Sequence, residues 1–577
     1  MIGKLKIKIS NWTFIHWLTA ATFAAVIFLL FWRLGRPDII HDDALYAFRS
    51  IGLVDFLFSD VQTTPIQWFN PVPWWAYLSF HDAPPLYFIV QHFFFDFFGI
   101  SSWSSRLTAA FGGIASMGFI WAYLRQNLGL RGALGGLLAV AVLTPFYWLQ
   151  RLGYLESLMT VWIAGSLYFF HLAKKNNRWY LAWGGAVGLA LLTKYTAVFV
   201  LPPYFLILLI YRRNDFKKLW LWLGAAVLVC LQLPVIIYNF MMYQATGHMD
   251  VQISALLGMS NRDWPTLKTS ANVDWSRVIP EFLSRFLDLY SWPVVFVLLA
   301  GIIFGAVQYI KHRQREYWLL AISLLFIWLI IIWLTRTDAW FIATGYIFVG
   351  IFIAPLIQWL LSATKNIKVW LALLILIGLM SLWYCLNTNH WNQARGRIHW
   401  SYSSERRESF GYNQIESFIS ERVKNKLSGA YIADIFSQNF DPKYFRDRIY
   451  DDDRFRNDDS ALRVNEIFVY DTNVNWFASL WYFHRWALYG HFIAPSSEDI
   501  GLFIDKNSPI IPVYPYLGVW YFSPTQYSAL NSADHLITTD PEALKLLTEN
   551  TEKSTISGIG GFPIFFNVYY KPPIPKP

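Results

Sequence analysis

His41-Asp42-Asp43-Ala44-Leu45-Tyr46 closes an apolar run that begins near residue 15, and His81-Asp82-Ala83-Pro84-Pro85-Leu86-Tyr87 opens the next. Carboxylates therefore stand where the chain leaves one greasy segment and enters another. A charge at the centre of a bilayer costs about 2.5 to 3.5 kcal/mol on insertion scales, so acids held at such an edge sit in polar surroundings. They are site candidates by position alone.

Composition decides what the flanking runs are. Of 577 residues, 55% are hydrophobic and 15% charged, against about 25% charged in ordinary soluble domains. Apolar segments fall near 15–34, 84–98, 106–124, 133–149, 154–172, 179–193, 195–211, 219–238, 288–310, 317–335, 339–360 and 368–386. A helix needs about 20 residues to cross a bilayer, and the reading is a polytopic membrane protein. The first segment has a basic lead, Lys4, Lys6 and Lys8, but no small-residue cleavage site, so it reads as a retained helix. The formal charge of +9 is not a nucleic-acid signal, because the cations gather in short loops: Arg212-Arg213, Lys217-Lys218, Lys311-His312-Arg313 and Arg315. That is the retention of Lys and Arg on the cytoplasmic side, and membrane lipids are the expected partner. Cys230 and Cys385 both lie in apolar sequence, and no disulfide framework follows.

These basic loops place 239–287 and the tail outside. Counting forward from a cytoplasmic N-terminus, however, seven segments before Arg212 give the wrong parity. Either 179–211 is one span broken near Lys194, or an early segment does not cross, so the expectation is eleven to thirteen transmembrane helices. The expected domains are a membrane unit, 1–386, with external loops at 35–83 and 239–287, and an extracytoplasmic α/β unit, 387–577. In the latter, 405–425 reads as helix, and 467–470, 510–514 and 565–569 read as strands. Asp451-Asp452-Asp453 reads as a solvated face. In the first loop the mixed Pro and Trp of 63–77 suit short helices lying in the interface.

Several further polar residues interrupt hydrocarbon. Arg151 and Glu156 lie in Gln150-Arg151-Leu152-Gly153-Tyr154-Leu155-Glu156-Ser157, and Lys194 and Tyr195 in Leu192-Thr193-Lys194-Tyr195. Arg151 and Glu156 read either as solvated loop residues or as lining a cavity, and Lys194 either snorkels to a head group or faces a phosphate. Asn239, His248 and Asp250 stand just after a later span; Gly247-His248-Met249-Asp250 has too few ligands for a metal site. An external aspartate near a membrane suits a general base toward a hydroxyl, and a departing phosphate would call for cations such as Arg151 and Lys194. A lipid-linked-sugar transporter or a non-enzymatic cell-envelope assembly protein would also place charge here, though transporters commonly show paired repeats, and no repeat is evident.

With these residues quoted, the chain resembles the integral-membrane glycosyltransferases of the protein mannosyltransferase and aminoarabinose transferase type, which have the GT-C fold and use polyprenyl-phosphate sugars. Asp42-Asp43-Ala44-Leu45-Tyr46 is similar to that family's acidic pair followed by Tyr, with Asp43 where Glu is usual. Asp82-Ala83-Pro84-Pro85-Leu86-Tyr87 is similar to its His-Pro-Pro-Leu-Tyr pattern, with Ala83 in the histidine position and His81 two residues earlier. The resemblance implies an all-α polytopic membrane domain on the plasma membrane, with its active site outside. It implies an inverting transfer from a polyprenyl-phosphate sugar to an extracytoplasmic acceptor, Asp42 acting as base with Asp43 as its neighbour and Arg151 and Lys194 on the donor phosphate. Tyr46, His81, Asp82, Glu156, Tyr195, Asn239, His248 and Asp250 become candidates for the pocket wall. A divalent cation is admitted by related folds but is not expected to be obligatory.

Overall fold

The computed structural model describes residues 13–53, 82–259, 275–335, 338–363, 367–390 and 410–423, and in the tail 427–428, 463–464, 466–474, 476–486, 494, 496–497, 518–525, 541–557 and 564–573. His81, the Trp-rich stretch 63–77, the acidic run at 451–453 and the strand expected at 510–514 lie outside these.

Uninterrupted apolar sequence forms helices because hydrocarbon leaves backbone N–H and C=O groups no partner but each other. Among the described residues eight helices are long and apolar enough to cross a membrane. In chain order the elements are α1 (Phe14–Phe31), α2 (Asp42–Gly52), α3 (Leu86–Phe98), α4 (Leu107–Ala141), α5 (Thr144–Gln150), α6 (Leu155–Ala173), α7 (Trp179–Thr193), α8 (Leu201–Tyr211), α9 (Leu219–Thr246), α10 (Val251–Leu257), α11 (Trp275–Tyr290), α12 (Trp292–Ile310), α13 (Arg315–Thr335), α14 (Ala339–Ala343), α15 (Tyr346–Ala363) and α16 (Ile367–Asn389). Gly129, at φ 75°, folds α4 into two arms; only glycine takes that conformation without strain.

Which ends meet settles the parity. Near the start of α3, the Tyr87 hydroxyl and the Asp43 Cβ lie 3.5 and 3.3 Å from one point, the place a Cβ on Gly153 would take. At the far end of α3, Phe98 packs on Trp103, ring centroids 5.5 Å apart, three residues before Arg106, which pairs with Asp43. Both ends of α3 thus lie at one face. The span expected at 84–98 therefore does not cross. By contrast α7 and the apolar segment Tyr195–Tyr211, which contains α8, are separate passages hinged at Lys194, which is extended at φ −159°, ψ 132°. The eight long helices, with α4 counted as two arms, plus α7 and α8, give eleven passages among the described residues. The loop expected to begin at residue 239 is helical to Thr246.

α7 and α9 touch backbone to backbone: a Cβ on Gly184 would fall 2.0 Å from the Gly224 carbonyl oxygen, and one on Gly224 2.2 Å from that of Tyr180. Small residues permit such close packing in membranes. Gly184→Val is expected to force the two helices apart and destabilise the protein by about 1 to 3 kcal/mol, seen as a lower melting temperature in detergent; an unchanged melt would contradict the crossing.

The tail holds a four-stranded mixed sheet ordered β3-β4-β6-β5, where β1 is Leu427–Ser428, β2 Arg463–Val464, β3 Glu466–Tyr470, β4 Gly518–Pro524, β5 Glu552–Ser557 and β6 Ile564–Lys571. β3 runs parallel to β4, while β6 is antiparallel to both β4 and β5. β1 and β2 form a separate parallel pair. The strands read at 467–470 and 565–569 are present, and helix α17 (Tyr412–Val423) lies within the helical reading of 405–425. α16 ends at Asn389, just past the composition break at 387. Tail and membrane unit share one apolar cluster: Ile39, Ile40, Ala44, Ala47 and Phe95 pack with Tyr412, Ile415, Trp481 and Phe483.

Candidate functional site

α2 begins at the acidic pair. His41, at φ 64°, turns the chain, and Asp42 and Asp43 occupy the first turn, where the positive end of the helix dipole favours anions. The two then part. Asp43 points inward, 2% exposed, and pairs with Arg106 at 3.5 Å. Arg106, itself buried, donates to the carbonyls of Leu34 and Pro37 at 3.0 and 2.8 Å and of Asp38 at 2.9 Å. Its planar fork thus holds the whole approach to α2 in one shape. Asp42 is half-buried and stands one turn before Tyr46 on the same helix face.

Tyr46 marks the convergence. Burial raises its phenol pKa well above the usual value, and Asp42, Glu156 and Asp82 push it further up while Arg49 opposes them. Three of the acids singled out in the sequence therefore act electrostatically on one side chain. Asp82 accepts from Arg49, whose guanidinium lies 4.5 Å over the Phe88 ring. Glu156, fully buried at the start of α6, accepts from Lys194 through Oε1, and its Oε2 has no partner among the described residues. The Lys194 ammonium also sits 4.4 Å over the Phe341 ring.

The other candidates flank this cluster. Arg151 donates to the carbonyls of Leu29 and Leu30, so it satisfies the open end of α1. Asp250 caps α10, accepting from the backbone N–H groups of Gln252 and Ile253 at 2.9 and 2.8 Å. Its second oxygen takes the Tyr195 hydroxyl at 2.7 Å and the Asn239 amide at 2.9 Å. Burial raises the Asp250 pKa despite these bonds. His248 is turned onto the carbonyl of Met249, 2.8 Å from its Nδ1. Asn239, His248 and Asp250 thus build the turn from α9 to α10, and Gln252 bonds the Asp82 carbonyl and ties that turn to the acidic cluster.

Arg49, Arg106 and Asp38 were not singled out from the sequence. Arg106 carries the signal that drew attention to Lys194, a cation between two apolar runs. Asp38 is the joint to the tail: its carboxylate accepts from the backbone N–H groups of Phe410 at 2.7 Å, Asn413 at 3.0 Å and Tyr412 at 3.4 Å. Next to it, the Tyr482 hydroxyl accepts from the Ile39 N–H at 2.8 Å. Burial pushes the Asp38 pKa up to about 6, and these N–H groups and Arg106 only partly offset it.

A pKa raised above the unfolded value means that the folded state holds the extra proton, so this group stabilises folding as pH falls through about 6 and the gain is lost as pH rises. The melting-temperature difference between wild type and Asp38→Asn should shift toward the wild type between pH 7 and pH 5. A pH-independent difference would remove the assignment.

Among the described residues no group of three or more His, Cys, Asp or Glu is disposed to hold a metal ion. Over residues 82–238 the chain matches the dolichyl-phosphate-mannose-protein mannosyltransferase family. No curated protein sequence matches it significantly. In fold it is similar to ArnT from Cupriavidus metallidurans in the apo state, at 14% identity over 96% of this chain and 97% of that one, TM-score 0.52. The same protein bound to undecaprenyl phosphate gives 14% identity, 96% and 98% coverage, and TM-score 0.53. The Archaeoglobus fulgidus oligosaccharyltransferase tethered with an acceptor peptide gives 13% identity, 88% and 69% coverage, and TM-score 0.50. This multi-pass membrane chain thus carries, from Asp82 to Tyr238, the pattern of that mannosyltransferase family, on a fold similar to those of ArnT and the archaeal oligosaccharyltransferase.

Proposed function

We propose that the protein transfers a sugar from a polyprenyl-phosphate donor to an extracytoplasmic hydroxyl or amine, with inversion. The observation that supports this reading most is that Asp42, Asp82 and Glu156 all act electrostatically on Tyr46, while Glu156 is paired with buried Lys194. The acceptor oxygen or nitrogen attacks the anomeric carbon, Asp42 takes its proton, and the carbon–oxygen bond to phosphate breaks with its electron pair leaving on polyprenyl phosphate. Lys194, with donors beyond the one given to Glu156, meets the charge that grows on the phosphate. Arg151 supplies a second cation to the same phosphate. The free Oε2 of Glu156 accepts from a hydroxyl of the sugar, a bond that would orient the ring for in-line attack. Asp43 holds α2 in place through Arg106.

The membrane helices bring the lipid tail of the donor to the site. Asp82 and Glu156 come from elements other than α2, so this acidic cluster exists only in the assembled fold. Purified protein supplied with a panel of radiolabelled polyprenyl-phosphate sugars and membrane extract should pass label to a product whose anomeric configuration, read by NMR, is opposite to the donor's. Retained configuration would defeat the single displacement, and no transfer from any donor would defeat the reading as a whole.

A further inference from the structure

A second polar cavity lies at the other end of the same helices. α6 has Glu156 of the acidic cluster at its start and leads directly into Lys174 at its end, about 27 Å away at 1.5 Å per residue. There a cavity of about 310 Å³ is lined by Lys174, Arg212 and Arg315 against a single carboxylate, Glu316, with Tyr211 and Tyr317 in its walls. Arg212 and Lys174 both pair with Glu316, and Arg212 also donates to the Phe170 carbonyl at 2.8 Å. Three cations on one carboxylate leave the cavity positive. It sits among the basic loops that mark the cytoplasmic side, and the N-terminus of α13, 21 residues long, opens onto it and adds the positive end of a helix dipole.

Its mouth is greasy. Ile210, next to the lining Tyr211, is 46% exposed, and Ile310 is 71% exposed. Tyr309, beside Ile310, lies near the Tyr211 hydroxyl. A phosphate in the cavity would thus lie beside apolar helix surface suited to an acyl chain.

We infer that this cavity binds the phosphate of an anionic phospholipid head group from the cytoplasmic leaflet, with its acyl chains along α8 and α12. The shared chemistry with a free phosphate ion is the oxyanion; the acyl chains separate the two sources. Nothing in this site touches the acidic cluster, so it is independent of the transfer reaction proposed above.

Native mass spectrometry of the full chain in detergent tests it, with phosphatidylglycerol, phosphatidylcholine and inorganic phosphate as probes. Wild type should retain phosphatidylglycerol over phosphatidylcholine by roughly thirtyfold, as expected for two cations near a membrane surface at about 1 kcal/mol each. The double variant Lys174→Gln with Arg315→Gln should bring the two lipids within about threefold. Lys174→Arg with Arg315→Lys should restore the preference, which a general loss of fold would not allow. Arg212 is left intact so that half-buried Glu316 keeps its partner. Equal retention of both lipids, a preference untouched by the double variant, or displacement of phosphatidylglycerol by about 1 mM inorganic phosphate would each overturn the assignment.

Discussion

Asp42→Asn should lower sugar transfer by about 10²- to 10⁴-fold, the usual worth of a positioned general base, while the protein accumulates and melts like the wild type. The reasoning is local. Asp42 is half-buried, so losing its charge leaves the Arg106 network whole, and an asparagine still fits the first turn of α2. Asp43→Asn should behave in the opposite order: it weakens the ion pair with Arg106 at 3.5 Å and lowers the melting temperature first. Single-turnover transfer with saturating donor, measured beside a thermal melt, separates the two variants. If Asp42→Asn kept its rate to within about threefold, the base would have to be sought at Asp82 or Glu156.

Arg106→Met carries the largest expected loss of stability. The guanidinium is 1% exposed and serves three carbonyls and one carboxylate. Methionine fills much of the volume but leaves these acceptors buried without a donor, and breaking a buried ion pair from one side costs about 3 to 5 kcal/mol. That is comparable with the whole stability of many domains. Arg106→Lys should rescue little, since one ammonium cannot reach the spread of acceptors that the fork spans. Chemical or thermal unfolding in detergent reads the loss; a methionine variant that melts with the wild type would show that Arg106 does not hold the approach to α2.

Much of the membrane unit could be read from the residues because hydrocarbon demands long apolar runs. What the runs could not say was which of them cross. Leu86–Phe98 is apolar enough for a span, and only the meeting of its ends with Asp43 shows that it stays at one face. The acids of the site were legible for the same reason that made the helices legible, as polar residues out of place. Arg49, Arg106 and Asp38 escaped because their partners lie 33, 63 and about 370 residues away along the chain, and no local pattern encodes such pairings. Asp250 carried a signal that could have been read differently: Asp just before the apolar start of a helix is a common N-cap, and capping is what it does.

The cluster that joins Ile39, Ile40, Ala44 and Ala47 to Tyr412, Ile415 and Trp481 has a consequence for how such a chain can be altered. The helix that presents Asp42 is half-owned by the tail, so the two ends of the polypeptide cannot be exchanged independently between relatives. A graft that brought a foreign tail would have to bring its own version of residues 38 to 47 with it. Lesions at Tyr482 or Asn413, far from any sugar in sequence, should therefore register in a genetic screen as defects of transfer, and their suppressors should arise in the first loop.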